Sequence, residues 1–394
     1  MKASLLPCRS AVAGVLLIAL LASVAAVFHV QASPAPKLLI VHSYGLDLPW
    51  VGDVDLGFNS VLQHFGSQVQ VRRHHLNLLN HPDCSHLREA AQEAQQAIDD
   101  WQPQVLVLVD DLAQGLVGAR HVLARVDSAP AAPQRDLVAQ LTAGRCTGQR
   151  LPSPTFVVQA IFYAGVNGNI ADYGYDRAAN VSGVLEHKNL PALAKLLRQI
   201  NEAAHPPAVA LQLLNDQSST AVAESERYAG QHWSPLHWLD PVNVSTFAEW
   251  QQQVYSASRR GAMLLIANYQ NLHDDQGRIV PAEQVIAWTE RHSIYPAVGA
   301  GTSFVGDGGL ATVAMSGIEQ GEVVARMALH YLNNGEFLPQ QSARRLLIGL
   351  HCTLARKRQL ETWSLYRGLR ATLGPAMRVS EHVYLETEIQ GEKP

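Results

Sequence analysis

Two successive arrays of strand and helix predict an α/β protein of two doubly wound, Rossmann-like lobes, each with a mostly parallel sheet, joined by a hinge. Three observations carry this. Short runs such as KLLIVH (Lys37–His42), QVLVLV (104–109) and AMLLIA (262–267) are apolar without alternation, the mark of a strand buried on both faces. Amphipathic stretches of helical spacing separate them. The rhythm breaks over residues 125–154 and later restarts, so one array follows another in a single chain.

The first array opens with the strand at Lys37–His42 and a helix over 50–65. QVQVRRHHL (68–76) alternates and reads as the second strand. Residues 83–101 have helical spacing, with Asp83 as the cap and Pro103 as the stop. The third buried strand (104–109) ends at Asp110-Asp111, and a helix follows over 112–123. VDSAPAAPQRD and TAGRCTGQRLPSP, within 125–154, are rich in Pro, Ala, Gly and polar residues; they read as an inserted surface excursion with one short helix at 136–142. TFVVQAIFYA (155–164) resumes the sheet.

In the second array, helices at 190–203, 218–230, 247–259 and 281–291 alternate with strands at 208–214, 236–242, 262–267 and 295–300. YPAVGA (295–300) is expected to close the series. After GDGG (306–309) come a long helix (318–332), a strand (344–350) and a basic, Arg-rich helix (354–373). The expected division is a leader at 1–32, a first lobe at 37–180 and a second at 181–317. A crossover helix and strand at 318–350 and a basic C-terminal helix and tail at 351–394 complete it. There is no short-period repeat.

Met1-Lys2 and Arg9 precede an unbroken apolar run at 11–28, which ends at Val30-Gln31-Ala32 before Ser33-Pro34. This is the pattern of a secretory leader cut after Ala32. The run is close to the ~20 residues that span a bilayer, so an uncleaved anchor is the alternative. Cys8 lies before the run, where a lipid-bearing cysteine would follow it. About 360 residues remain, room for two domains at the usual ~100–200 residues each. Composition is that of a globular protein, 47% hydrophobic and 16% charged. Net charge is −4 with no basic stripe, which argues against nucleic acid as a partner. The expected compartment is the periplasm. Cys84, Cys146 and Cys352 show no CxxC or Cys/His ligand spacing; an odd count leaves at least one free thiol. A Cys84–Cys146 bridge and three separate thiols both stay open.

In open α/β sheets, ligands sit outside the carboxyl ends of the strands. That rule selects His42, Ser43, Tyr44 and Trp50 after the first strand, Asp110 and Asp111 after the third, and Gly165, Asn167 and Gly168 after the fourth. In the second array it selects Asn215, Asp216, Asn268, Tyr269 and the loop 301–304 with Thr302. Aromatic, hydroxyl, amide and carboxylate groups together suit a polar organic ligand with an apolar body. Each residue also has a plainer use: large aromatics pack cores, an aspartate after a strand caps the next helix, and glycines turn. His74-His75 sit on an alternating strand and point to opposite faces, a poor geometry for one metal. HExxH, GxSxG and P-loop motifs are missing, Gly299-Ala300-Gly301 lacks the rest of a dinucleotide fingerprint, and Asp274-Asp275 with Gly277 reads as a solvated turn rather than a calcium loop. No cofactor, metal or catalytic set is expected.

An ordered series of segments carries a family resemblance: HSYGLDLPW, VLVDDLA, FYAGVNG, NVSGVLE, VGAGTSFVGDGG and SGIEQGEVVARMAL. Over about residues 37–350 the chain resembles ABC-transporter substrate-binding proteins of the type 1 periplasmic-binding-protein fold. It is most similar to the branch that binds aromatic amino acids and that also appears as sensing partners of histidine kinases. The resemblance implies ligand contacts at Ser43, Tyr44, Trp50, Asp111, Asn167 and around Thr302, and hinges near Val181–Leu185 and 316–318. The Pro-rich excursion and the segment beyond His351 depart from the family pattern.

The expectation is therefore a non-catalytic clamp, a monomer, that closes by hinge motion on a small organic ligand such as an aromatic amino acid or a related metabolite. It would present that ligand to an ABC permease, or alternatively signal to a membrane sensor kinase without transport. An exported hydrolase is the reading from another class, and the missing nucleophile–base set counts against it.

Overall fold

The computed structural model describes residues 34–65, 68–79, 81, 83–123, 137–142, 146–148, 151, 153–360, 376–379 and 382–388. The expected leader and much of the 125–154 excursion lie outside them. Strands β1 (Lys37–His42), β2 (Gln70–His75), β3 (Val105–Val109), β4 (Ala160–Val166), β5 (Val181–Leu185) and β11 (Gln341–Ser342) form the first sheet, ordered β11-β5-β4-β3-β1-β2. All its pairings are parallel. Every residue of β3 and β4 is buried, as a strand covered on both faces requires. The covering helices include α1 (Pro49–Phe65), α2 (Cys84–Trp101), α3 (Asp111–Leu116), the short α4 (Leu137–Leu141) and the long α10 (Gly317–Asn334).

The second sheet takes β6 (Ala210–Asp216), β7 (His237–Val244), β8 (Ala262–Ile266), β9 (Ala297–Gly299), β10 (Ala311–Met315) and β12 (Arg345–His351). With β13 (Ala376–Val379) and β14 (His382–Glu388) its order is β13-β14-β12-β10-β9-β8-β6-β7. The stretch from β7 to β10 is parallel and the three last strands in sequence are antiparallel. Helices α5 (Leu190–Ala203), α6 (Ser219–Ala229), α7 (Phe247–Arg259), α8 (Ala282–His292), the short α9 (Ser303–Gly306) and α11 (Cys352–Lys357) belong to this lobe. Caps set many boundaries. Asp83 accepts from His86 N–H, Asn189 from Ala192 N–H, and Thr246 with Glu249 forms a capping box.

Several expectations need correction. Val181–Leu185 is a strand of the first sheet, with a passage between the lobes directly after it, so the first lobe extends beyond residue 180. Ala311–Met315 is a strand, where the series was expected to end at 300. The helix at 318–332 is not a free crossover: as α10 it packs on α1 and covers the first sheet. The stretch 112–123 is broken into α3 and a 3-10 turn at Gly118–Arg120. A Cβ at Gly118 would meet the Tyr175 hydroxyl, which holds this turn close to the sheet. The fourth strand starts at Ala160 rather than 155. The C-terminal helix stops at Lys357, with Gln359 in the left-handed region, and β13–β14 follow as an antiparallel extension; residues 361–375 lie outside the described set.

The chain therefore passes between the lobes three times: between β5 and α5, between β10 and α10, and between β11 and β12. Glu319 ties two of the passages together, because one of its carboxylate oxygens accepts from the Arg344 and Arg345 amides at 2.8 and 2.6 Å. Cys84 and Cys146 form a disulfide that fastens the excursion to α2, which settles the pairing the sequence left open; Cys352 is a free thiol. Among the described residues, no helix is long and apolar enough to cross a membrane.

Candidate functional site

Both lobes place the reversal of strand order at the same point. In the first, β1 lies between β2 and β3; in the second, β6 lies between β7 and β8. A crevice opens outside the carboxyl ends of the strands at such a switch point. Here the two crevices face each other and enclose a cavity of about 150 Å³.

The first-lobe wall comes from the loops after β1, β3 and β4. Tyr44, Leu48 and Trp50 follow β1, and Asp110 and Asn167 end the neighbouring strands. Asp110 has φ 69°, an uncommon conformation for a residue other than glycine, and one that the surrounding structure must enforce. Its carboxylate accepts a hydrogen bond from the Trp50 side chain. Gly165, beside the Trp50 ring, has φ 67°, a backbone conformation that suits glycine. The second-lobe wall uses Asp216 and Ser218 after β6, residues 267–271 after β8, and Gly301, Thr302 and Ser303 after β9.

Of the residues expected at the site, Tyr44, Trp50, Asp110, Asn167, Asp216, Asn268, Tyr269 and Thr302 line this cavity, with Gly301 and Ser303 of the same loop. His42, Gly165, Gly168 and Asn215 do not, and neither do Ser43 and Asp111. Ser43 is buried behind the loop, where its hydroxyl donates to the Val109 carbonyl (2.8 Å) and accepts from Ala113 N–H (2.9 Å). Asp111 is also buried, accepting from the amides of Asn167 (3.2 Å) and Gly168 (3.0 Å) and from the Tyr173 hydroxyl (2.8 Å). These two side chains lock adjacent βα loops in register. Asn215 does the same in the second lobe, accepting from the amides of Ala267 and Asn268, while Asp216 holds the Ser218 and Asn271 amides. Tyr269 is part of the wall but its hydroxyl is engaged, donating to Asp307 at 2.5 Å. With its side-chain amide turned end for end, Asn268 accepts from Ala221 N–H and donates to the Ala267 carbonyl.

Sequence reasoning missed Glu186, Lys188 and Leu79. Glu186 and Lys188 lie on the first interlobe passage, beside a segment read as a hinge rather than as a strand with a loop after it. Their signal was present: a charged pair directly after NVSGVL, at a carboxyl strand end.

Charge in the cavity is concentrated. Burial and the neighbouring Glu186 and Asp111 carboxylates push the Asp110 carboxyl well above its ordinary range, against the opposing pull of the Trp50 hydrogen bond and Lys188. Burial, and then the Asp110, Asp111, Asp216 and Glu186 carboxylates, also hold the Tyr44 phenol well above its ordinary value. No nucleophile–base pair is formed by the lining described above.

A second cluster lies nearby, below β1. His42, Asp55 and His75 bring potential ligand atoms within 4.8 Å of one another. The two imidazoles are stacked at 7°, so their in-plane lone pairs run parallel instead of converging. Arg73 donates to the same Asp55 oxygen at 2.7 Å. Burial works against ionisation of Asp55, but the hydrogen bonds from His42 and Arg73 outweigh it and hold the carboxyl below its usual range. The arrangement is that of an ion-pair network joining α1 to β1 and β2.

No family model and no curated protein sequence matches the chain. Solved structures do. A conserved domain protein from Vibrio cholerae matches with a TM-score of 0.56 at 14% identity, over 83% of this chain and 95% of that one. An ABC domain from Streptococcus pneumoniae in complex with L-Trp gives 0.56 at 14% identity, over 84% and 98%. The ligand-free, open structure of a substrate-binding protein with adhesive properties from Clostridium difficile gives 0.52 at 14% identity, over 83% and 96%. With its two βα lobes, three interlobe passages and cavity at the paired switch points, the chain has the type 1 periplasmic-binding-protein fold.

Proposed function

We propose that this chain is an extracytoplasmic solute-binding protein that captures a small organic ligand between its lobes and presents it to an ABC-type importer. The observation that carries this reading is the cavity itself: it is lined from both lobes by loops at the carboxyl ends of the strands, and three passages of chain connect those lobes. A ligand touching both walls is bound more tightly by the closed form than by the open one, and that difference drives closure. Trp50 and Tyr44 supply apolar surface, and Asp110, Asn167, Ser218 and Thr302 supply polar contacts. The solved structures of the same fold that are described as substrate-binding or ligand-bound support a binding role.

The test is thermal unfolding of the purified chain against amino acids, amines, sugars, nucleosides and short peptides. Ligand at ~100 times its dissociation constant adds about 2.7 kcal/mol to the folded state. A shift that is abolished in Trp50→Ala supports the reading; no shift from any compound counts against it.

A further inference from the structure

The cavity is unbalanced in charge. Asp110, Glu186 and Asp216 line it, and Lys188 is the one basic side chain among the described lining residues. Asp111 stands directly behind and adds to the negative field at Asp110. The hydrogen-bonding capacity leans the same way. Oδ1 of Asn167 and Oδ1 of Asn271 are buried acceptors with no hydrogen-bond partner among the described residues, and both residues line the cavity. A buried acceptor without a donor is costly, so a donor-rich ligand is what such a lining favours. Trp50 and Tyr44 add aromatic surface beside Asp110, and aromatic faces attract cations.

We propose that the cavity is built for an organic amine of net positive charge, with its ammonium at Asp110 within the field of Glu186 and its body against Trp50 and Tyr44. This deepens the solute-binding reading and rests on it. Charge-assisted bonds from an ammonium to a carboxylate are among the stronger polar contacts. A zwitterionic amino acid brings a carboxylate of its own into a lining that already holds three. Lys188 would have to neutralise it while lying in the field of Asp110. An amine without that carboxylate makes no such demand. The mutual repulsion that burial imposes on Asp110, Glu186 and Asp111 is relieved by one cation placed at Asp110.

The experiment is isothermal titration near neutral pH with probes of matched shape and different charge: tryptamine, tryptophan and indole-3-propionate, then tyramine, tyrosine and the diamine putrescine. The expected result is that at least one amine binds ten-fold or more tightly than its matched amino acid, and that added salt weakens it. Asp110→Asn should reduce that affinity ten-fold or more. Asparagine keeps the shape and tolerates positive φ, so the fold should survive. Glu186→Gln is the second variant, expected to weaken the amine without affecting any neutral binder. Equal or tighter binding of the amino acid or the deaminated acid overturns the inference, as does an Asp110→Asn protein that keeps full affinity for the amine. If only sugars or other neutral solutes bind in the wider panel, the inference falls and the solute-binding reading stands. If nothing in the panel binds, both fall.

Discussion

Replacing Gly321 with alanine adds one methyl group where α10 meets α1. The new Cβ would lie 2.0 Å from the Val54 carbonyl oxygen and 2.8 Å from the Phe58 amide nitrogen. Both are backbone atoms, so no side chain can swing aside, and the helices must part by about 1 Å, since interiors are packed without slack. Gly57 makes the same contact from the other helix, with its Cβ position 2.0 Å from the Ile318 carbonyl oxygen. Two effects compete. Glycine to alanine inside a helix stabilises by about 1 kcal/mol. Forcing volume into a packed contact costs about 1–3 kcal/mol, and more where the backbone must move. Separation of these helices also loosens Trp50, Val54 and Phe58, all buried beneath α10. The net expectation is a loss of about 2 kcal/mol, which lowers Tm by roughly 4–8 °C at 2–4 °C per kcal/mol. Gly52→Ala is the internal control: it lies on the same helix α1, and its Cβ position has nothing within 4 Å. It should raise Tm by about 1–4 °C for a gain of 0.5–1 kcal/mol. Calorimetric scans of the three proteins decide the matter. If Gly321→Ala is as stabilising as Gly52→Ala, the interlocked-helix account of the first lobe is wrong.

Arg358 reaches from the end of α11 to the buried Glu290 on α8, donating to its carboxylate at 2.7 Å and to its carbonyl at 2.8 Å. Arg358→Ala leaves that carboxylate buried without its counter-ion, although the Leu310 amide still donates to it, and should destabilise by about 3 kcal/mol, measured by urea unfolding. Reducing the Cys84–Cys146 bridge frees a loop of 62 residues; chain entropy alone predicts a loss of about 4 kcal/mol, seen as a lower Tm under reductant. Asp110 has a folded-state pKa above its unfolded value, so the folded protein holds the extra proton. Its contribution to stability is present at acid pH and is lost as pH rises from the ordinary carboxylate range through its raised value. The groups facing it are Tyr44, Trp50, Asp111, Glu186 and Lys188. Asp110→Asn should flatten that part of the pH–stability curve.

Much of the fold could be read before any coordinates. The unalternating runs at Lys37–His42 and Ala262–Ile266 are strands because only a sheet covered on both faces keeps such residues dry, and both sheets are covered in that way. What escaped were strands whose sequence does not look apolar throughout. Val181–Leu185 contains Ser182 and Gly183, and Gly183 is there because a Cβ would strike Tyr163 on the adjacent strand. Ala311–Met315 was hidden by the glycines before it. Lobe membership of α10 is a tertiary fact: it packs on α1, with Gly57 and Gly321 at the contact, and on β3, β4 and β5 of the first sheet. At the site, the carboxyl-end rule found Tyr44, Trp50 and Asp110, but it could not separate a residue aimed into the cavity from one aimed behind the loop. Ser43 and Asp111 belong to the second kind because their side chains bond backbone amides and carbonyls of adjacent loops. Glu186 and Lys188 escaped because the passage between lobes is not a βα loop within one sheet.

Closure of the two lobes on a ligand is the central claim, and the distance across the cleft tests it directly. Nitroxide labels on cysteines placed at exposed Ala171 and Gln276, in a Cys8→Ser, Cys352→Ser background that leaves the Cys84–Cys146 bridge intact, report that distance by pulsed electron resonance. The two positions lie beyond the carboxyl ends of β4 and β8, on opposite lobes. With the tightest compound from the panel at saturation, the distance distribution should shorten and narrow, and Trp50→Ala should abolish the change. An unchanged distribution with that compound demonstrably bound would contradict the clamp.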